Sequence, residues 1–167
     1  MKRLYFLLLA GIFLYISNNT LAQDTKFQSL IIYNLTKLLD WPDKSGNFTI
    51  KIIGNTELTK ELKEFTNERK AGGKQDFDIQ KVEIGNIDNC HILFIGAQDC
   101  ANTESIVKTV GSKPVLVITE KPDLTSKGAG ISLDKMDGVW KFQYSEENIK
   151  KAGIKISMDF KELGIPK

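Results

Sequence analysis

Two stretches of this chain are apolar almost without a break: His91-Ile92-Leu93-Phe94-Ile95 and Pro114-Val115-Leu116-Val117-Ile118. A strand with one face in water alternates polar and apolar residues, so unbroken runs of this length belong to strands covered on both faces in the middle of a sheet. Between them Ile106, Val107 and Val110 recur at helical spacing, and Gly111 ends the pattern. Strand, helix, strand in this order predicts a parallel crossover with the helix lying over the sheet.

The flanking segments extend that plan. Asn47 to Ile53 alternates Phe48, Ile50 and Ile52 with polar neighbours, as a strand does, and Gly54-Asn55-Thr56 offers a cap to a helix from Glu57 to about Glu68. Ala71-Gly72-Gly73-Lys74 breaks that helix, and Phe77 to Ile84 returns as a strand. Ala129 to Leu133 and Val139 to Tyr144 flank Asp137-Gly138, which signals a hairpin. Glu146 to Ala152 reads as a short helix stopped by Gly153, Ile154 to Ile156 as a closing strand, and the tail from Met158 assigns to no element. Upstream, Asp24 to Asp40 predicts a first helix with Phe27, Leu30, Ile31, Leu35 and Leu38 on its core face. Ile32, Tyr33 and Leu39 widen that face, and Trp41-Pro42 closes the helix. The expected fold is a single α/β domain of three layers. Its central mixed sheet has a mostly parallel core, an antiparallel hairpin at the C-terminal edge and flanking helices.

Ahead of this domain the chain carries the three parts of a secretory signal. Lys2 and Arg3 are the basic start, Leu4 to Ile16 the apolar run, and Thr20-Leu21-Ala22 the small-residue cleavage site. The run is shorter than the roughly 20 residues that a membrane-crossing helix needs. Residues 1–22 are therefore expected to be removed and 23–167 to form the working domain in the periplasm, with no insertion into the membrane afterwards. Gln23 at the new start excludes attachment of a lipid to an N-terminal cysteine.

Cleavage also changes the charge. Lys2 and Arg3 carry the whole formal charge of +2 away with them. A neutral domain without a basic block has no electrostatic footprint for nucleic acid.

Export places Cys90 and Cys100 where oxidation is permitted, which makes them the candidate redox residues. A strand over 91–95 would hold them about 17 Å apart along its length. A disulfide tolerates Cα separations of only about 4.4 to 6.8 Å. Bridging would need the following loop to fold back over the strand, so two buried free thiols are the expectation. No metal and no cofactor is expected, because no further ligand stands at a metal-binding spacing from these cysteines and His91. His91 is the sole histidine and opens a strand that should be buried, so it reads as a core residue rather than a catalytic base. The glycine-rich stretches lack the spacing of a phosphate-binding loop. Nothing in the sequence assembles a catalytic site.

Ile32-Tyr33-Asn34-Leu35-Thr36-Lys37-Leu38-Leu39-Asp40-Trp41-Pro42 resembles the first helix of the YfiR/HmsC-like family, with its Tyr-Asn, Lys and acidic-Trp-Pro pattern. Cys90 to Ile95 and Pro114 to Ile118 are similar to that family's central strands. Lys127 to Ile131 with Trp140-Lys141-Phe142 is similar to its hairpin, and Ala152 to Ser157 to its closing segment. Ser132 stands where the family usually has asparagine, and Cys100 lies away from the positions of its paired cysteines.

The resemblance implies a non-enzymatic periplasmic regulator. Such a protein binds the periplasmic sensory part of an inner-membrane diguanylate cyclase or sensor kinase and represses or tunes it, with effects on cyclic di-GMP signalling and biofilm formation. Pairing with a second copy of the chain, as a homodimer, is left open. The contact residues expected for the partner are Tyr33, Lys37, Trp41 and Pro42; for the first three the pattern leaves core and interface open. The alternative is a small-ligand sensor or carrier, binding in the crevice at the carboxyl ends of the parallel strands near Gly96 and Thr119.

Overall fold

The computed structural model of the protein describes residues 23–167, so the export signal read at 1–22 lies outside the described residues. Residues 23–38 form the helix α1, which runs directly into the short strand β1 (Leu39–Asp40). Helical spacing alone carries α1 on to Asp40; pairing of β1 with a distant segment ends it two residues earlier. β2 (Phe48–Ile53) follows, and Asn55 caps α2 (Thr56–Thr66) by accepting a hydrogen bond from the Leu58 backbone N–H at 2.9 Å.

β3 (Lys70–Ala71) and β4 (Gln75–Lys81) then make an antiparallel pair across the glycine break. β5 (Ile92–Ile95) and β6 (Leu116–Thr119) are the two apolar runs. Every residue in them is buried, and α3 (Thr103–Val110) joins them as predicted. β7 (Ile131–Met136) and β8 (Val139–Tyr144) form the hairpin. Its turn residues Asp137 and Gly138 have φ of 52° and 78°, the left-handed pair that a two-residue hairpin loop requires. The chain closes with α4 (Glu146–Lys151), β9 (Lys155–Ile156), α5 (Met158–Leu163) and β10 (Ile165–Pro166). The last two are too short to leave a periodic trace, which is why the tail could not be assigned from pattern.

Eight strands build one mixed sheet in the order β10-β8-β7-β6-β5-β2-β4-β3. The five from β4 to β7 run parallel, with Ile50 opposite Ile92 and Ile92 opposite Leu116. The hairpin is antiparallel as expected, but β10 adds in parallel outside β8, so the hairpin sits one strand in from the edge. β1 and β9 pair separately, Leu39 opposite Ile156.

Alternate residues of the central strands feed two cores. Ile50, Ile52, Phe94 and Ile118 pack under α1, α2, α4 and α5, while Leu93, Ile95 and Val117 pack against Ile106 and Val110 of α3. This is the three-layer α/β arrangement.

One expectation needs correction. Phe27 and Leu30 of α1 are 46% and 42% exposed, whereas Ile32 and Leu35 are buried together with Gln28 and Ser29. Apolar side chains surround α1 on nearly every side, so periodicity could not choose the buried face. Docking on the sheet chose it.

Candidate functional site

α1 crosses one face of the sheet from the carboxyl ends of the parallel strands to their amino ends. At its start, Asp24 accepts a hydrogen bond from the Trp140 indole at 3.0 Å and pairs with Lys135 at 2.6 Å. At its far end lie the residues singled out as partner contacts.

Tyr33 is half-buried. Its ring meets Phe65 edge-on at 5.7 Å and Phe77 at 6.1 Å, and the Lys37 ammonium sits 4.3 Å above it. Arg69 stacks over Phe65 at 4.2 Å and approaches the Tyr33 ring at 5.7 Å. Tyr33 thus lies in a surface array of aromatic rings and cations, where each such contact contributes modestly at partial exposure. Lys37 and Pro42 are exposed.

Trp41 departs from the expected contact surface. It is 4% exposed and packs edge-on against Phe48 at 4.9 Å, and its indole N–H donates to the His91 carbonyl at 3.1 Å. A buried indole needs a partner for its N–H, and the start of β5 supplies one. Trp41 is a core residue that sets the turn on which Pro42 is displayed.

His91 shares this corner. Its ring stacks on Phe48 at 4.4 Å, and Nδ1 accepts a hydrogen bond from the Thr49 backbone N–H at 3.0 Å. Nε2 is buried without a hydrogen-bond partner among the described residues. Burial lowers the imidazole pKa, with the nearby Asp43 charge acting in the opposite sense, so the ring stays neutral at pH 7.

Cys90 and Cys100 lie at opposite ends of β5, both free and both buried. Burial pushes the Cys90 thiol up to about 11 and raises that of Cys100 as well. Each thiol points at a backbone carbonyl, Ile87 at 3.6 Å and Ile95 at 3.5 Å. Thiols so placed behave as small apolar side chains rather than as nucleophiles.

At the carboxyl ends of the parallel strands, Gly96 and Thr119 are buried. The order of the parallel strands reverses between β2 and β5, the place where open α/β sheets admit ligands. There Glu120 accepts hydrogen bonds from Gln28 and Asn55 at 2.9 Å each and from the Ala97 backbone N–H at 2.8 Å. A Cβ at Gly96 would stand 2.8 Å from the Ile53 carbonyl, so the backbone there is already in close contact. Thr119 is fully buried and bonded to Ser132 at 3.0 Å. Gln28 and Glu120 escaped the sequence reading, although a Gln-Ser pair inside an apolar helix was the available signal.

Among the described residues, no three His, Cys, Asp or Glu side chains group as a metal site would need, and no helix is long and apolar enough to cross a membrane. No curated protein matches the chain. A family model described as YfiR/HmsC-like matches residues 25–164, and that family consists of periplasmic regulators. The match takes in the helix with its Trp41 corner, both buried strands, the hairpin and most of the closing elements, and on that extent the chain belongs to the YfiR/HmsC-like family.

Proposed function

We infer that this chain is a non-enzymatic regulator exported to the periplasm. There it binds the periplasmic sensory part of an inner-membrane diguanylate cyclase or sensor kinase and represses or tunes its output. The outer face of α1 carries this reading. Phe27 and Leu30 stand 46% and 42% exposed, in line with Tyr33 and Lys37 at helical spacing. Large apolar side chains beside an aromatic ring and a cation have the composition of an interface centre rather than of an ordinary solvated face. Ile32 and Leu35 anchor the opposite side of the helix in the core, so the outer face is held ready. Pro42 extends it at the turn. Regulation of this kind acts through binding alone and requires no chemistry from the protein.

The test is to mix the mature protein with detergent-solubilised membrane-bound diguanylate cyclases and sensor kinases of the same cell, reading complex formation and cyclase or kinase output together. A complex with altered output is expected. Leu30→Glu and Tyr33→Ala should each weaken it by about tenfold or more. Folded proteins among which no complex forms would reject the reading.

A further inference from the structure

A trench of about 340 Å³ opens beside the Trp41 corner, at the amino ends of β2 and β4. Three segments distant in sequence meet there: the stretch from the end of α1 through β1 to the start of β2, the β3–β4 turn, and β9. Between them they bring four lysines, Lys37, Lys44, Lys74 and Lys155, all of them exposed. One carboxylate, Asp40, answers these four ammonium groups, and Lys44 already pairs with it at 2.7 Å. The hydrogen bond from Lys44, with the charges of Lys44, Lys155 and Lys74, holds the Asp40 carboxyl below its usual range. Lys37 rests on an aromatic ring, and neither Lys74 nor Lys155 has an ion-pair partner among the described residues. Acids and bases balance over residues 23–167, so this positive excess is local.

The floor of the trench is closed. Leu39, Trp41, Phe48 and Ala71 are 5%, 4%, 2% and 2% exposed, whereas the four lysines stand in water around them. The charge that this trench offers an occupant therefore lies at its rim. A single exposed ion pair is worth little in water, so recognition requires an occupant that offers several carboxylates at once along the trench. The geometry points to a docking site for an acidic, extended peptide segment of the membrane partner. This assignment rests on the regulator reading above and names the chemistry by which the partner is recognised. Complementary charge of this kind sets partner choice and association rate, and it weakens with salt.

The experiment uses the mature protein and a fluorescein-labelled peptide of alternating Glu and Ser, read by anisotropy against the same peptide with Gln in place of Glu. Binding of the Glu peptide alone, falling steeply with added salt, is expected. Lys74→Glu combined with Lys155→Glu should reduce it about tenfold or more, while Lys60→Glu with Lys63→Glu on the exposed side of α2 should leave it unchanged. All four lysines are exposed, so unaltered circular dichroism and melting temperature are expected in both variants.

Peptide binding that survives Lys74→Glu with Lys155→Glu overturns the assignment. So does displacement of the peptide by citrate or inorganic phosphate at the peptide's own concentration, which would make the trench a small-anion site. Binding to phosphatidylglycerol vesicles in place of the peptide would overturn it equally. In the co-purification assay, a partner lost with Leu30→Glu but kept with the double lysine variant removes the trench and leaves the regulator. A folded partner that wild-type protein fails to capture, with peptide binding intact, removes the membrane partner and leaves the acidic-peptide site.

Discussion

The indole N–H of Trp41 donates to the backbone carbonyl of His91 at 3.1 Å, tying the corner after α1 to the first residue of the central strand run. The same carbonyl also accepts from the Leu116 backbone N–H at 2.9 Å. A single peptide group thus joins the corner after β1 to β5 and β6.

Removing that indole should be costly. Trp41→Ala is expected to lower the unfolding free energy by about 3–5 kcal/mol, the usual range for a buried aromatic truncated to alanine. Pro42→Ala, one residue on and exposed, should change it by no more than about 0.5 kcal/mol. Urea denaturation of the two variants separates these outcomes. A small loss for Trp41→Ala would show that the side chain is not the core residue described here.

The His91 imidazole makes stability depend on pH with a definite sign. Its folded pKa lies below the ordinary value of 6.5 because of burial. Below pH 6.5 the unfolded chain therefore binds the proton more readily than the folded one. This contribution is fully present above pH 6.5 and is lost as pH falls through the folded pKa. Denaturation midpoints measured from pH 7.5 down to pH 5 should fall, and His91→Gln should flatten the slope over that range. An identical slope in wild type and variant would place the titration elsewhere.

Cys90 should be unreactive while the protein is folded. With its pKa pushed up to about 11 from 9.0, the thiolate fraction near pH 8 falls by about a hundredfold from that cause alone. Iodoacetamide should leave Cys90 unmodified in native protein and label both cysteines in urea. Mass mapping under non-reducing conditions should find no Cys90–Cys100 peptide, and a linked peptide would contradict the separation of the two thiols along β5.

The contact of Glu120 with α1 should control how firmly that helix is docked. Glu120→Ala leaves the donors of Gln28, Asn55 and Ala97 without their acceptor. A loss on the order of 2–3 kcal/mol is expected, together with faster hydrogen exchange at the α1 amides. Unchanged α1 exchange would separate Glu120 from the helix.

Ser29 predicts the opposite sign. Its hydroxyl is fully buried with no hydrogen-bond partner among the described residues, so Ser29→Ala removes a desolvated polar atom while nearly conserving shape. Stability should stay level or rise by up to about 1 kcal/mol. A clear loss in the denaturation midpoint would reveal a partner for the hydroxyl.

Much of the fold was legible because it is written locally. The unbroken runs of β5 and β6 announced burial on both faces, Asp137-Gly138 announced a hairpin, and Gly54-Asn55-Thr56 announced the cap of α2, each through an interaction within a few residues. The candidate site was legible only in part. Tyr33, Lys37 and Pro42 do reach the surface, but Trp41 turned inward, because its large apolar ring packs on Phe48 and the His91 carbonyl satisfies its N–H there.

What the sequence determined by itself was the order of the longer strands and helices and the apolar character of the central sheet. These follow from side-chain period and turn chemistry, which act over short stretches of chain. Tertiary structure alone decided which side of α1 faces water, since that helix is apolar nearly all round and only its docking on the sheet, with Gln28 reaching Glu120, selects a rotation. It alone gathered Lys37, Lys44, Lys74 and Lys155 into one trench. Contacts between residues so far apart in sequence leave no periodic mark, because they arise only once the sheet order has brought their segments together.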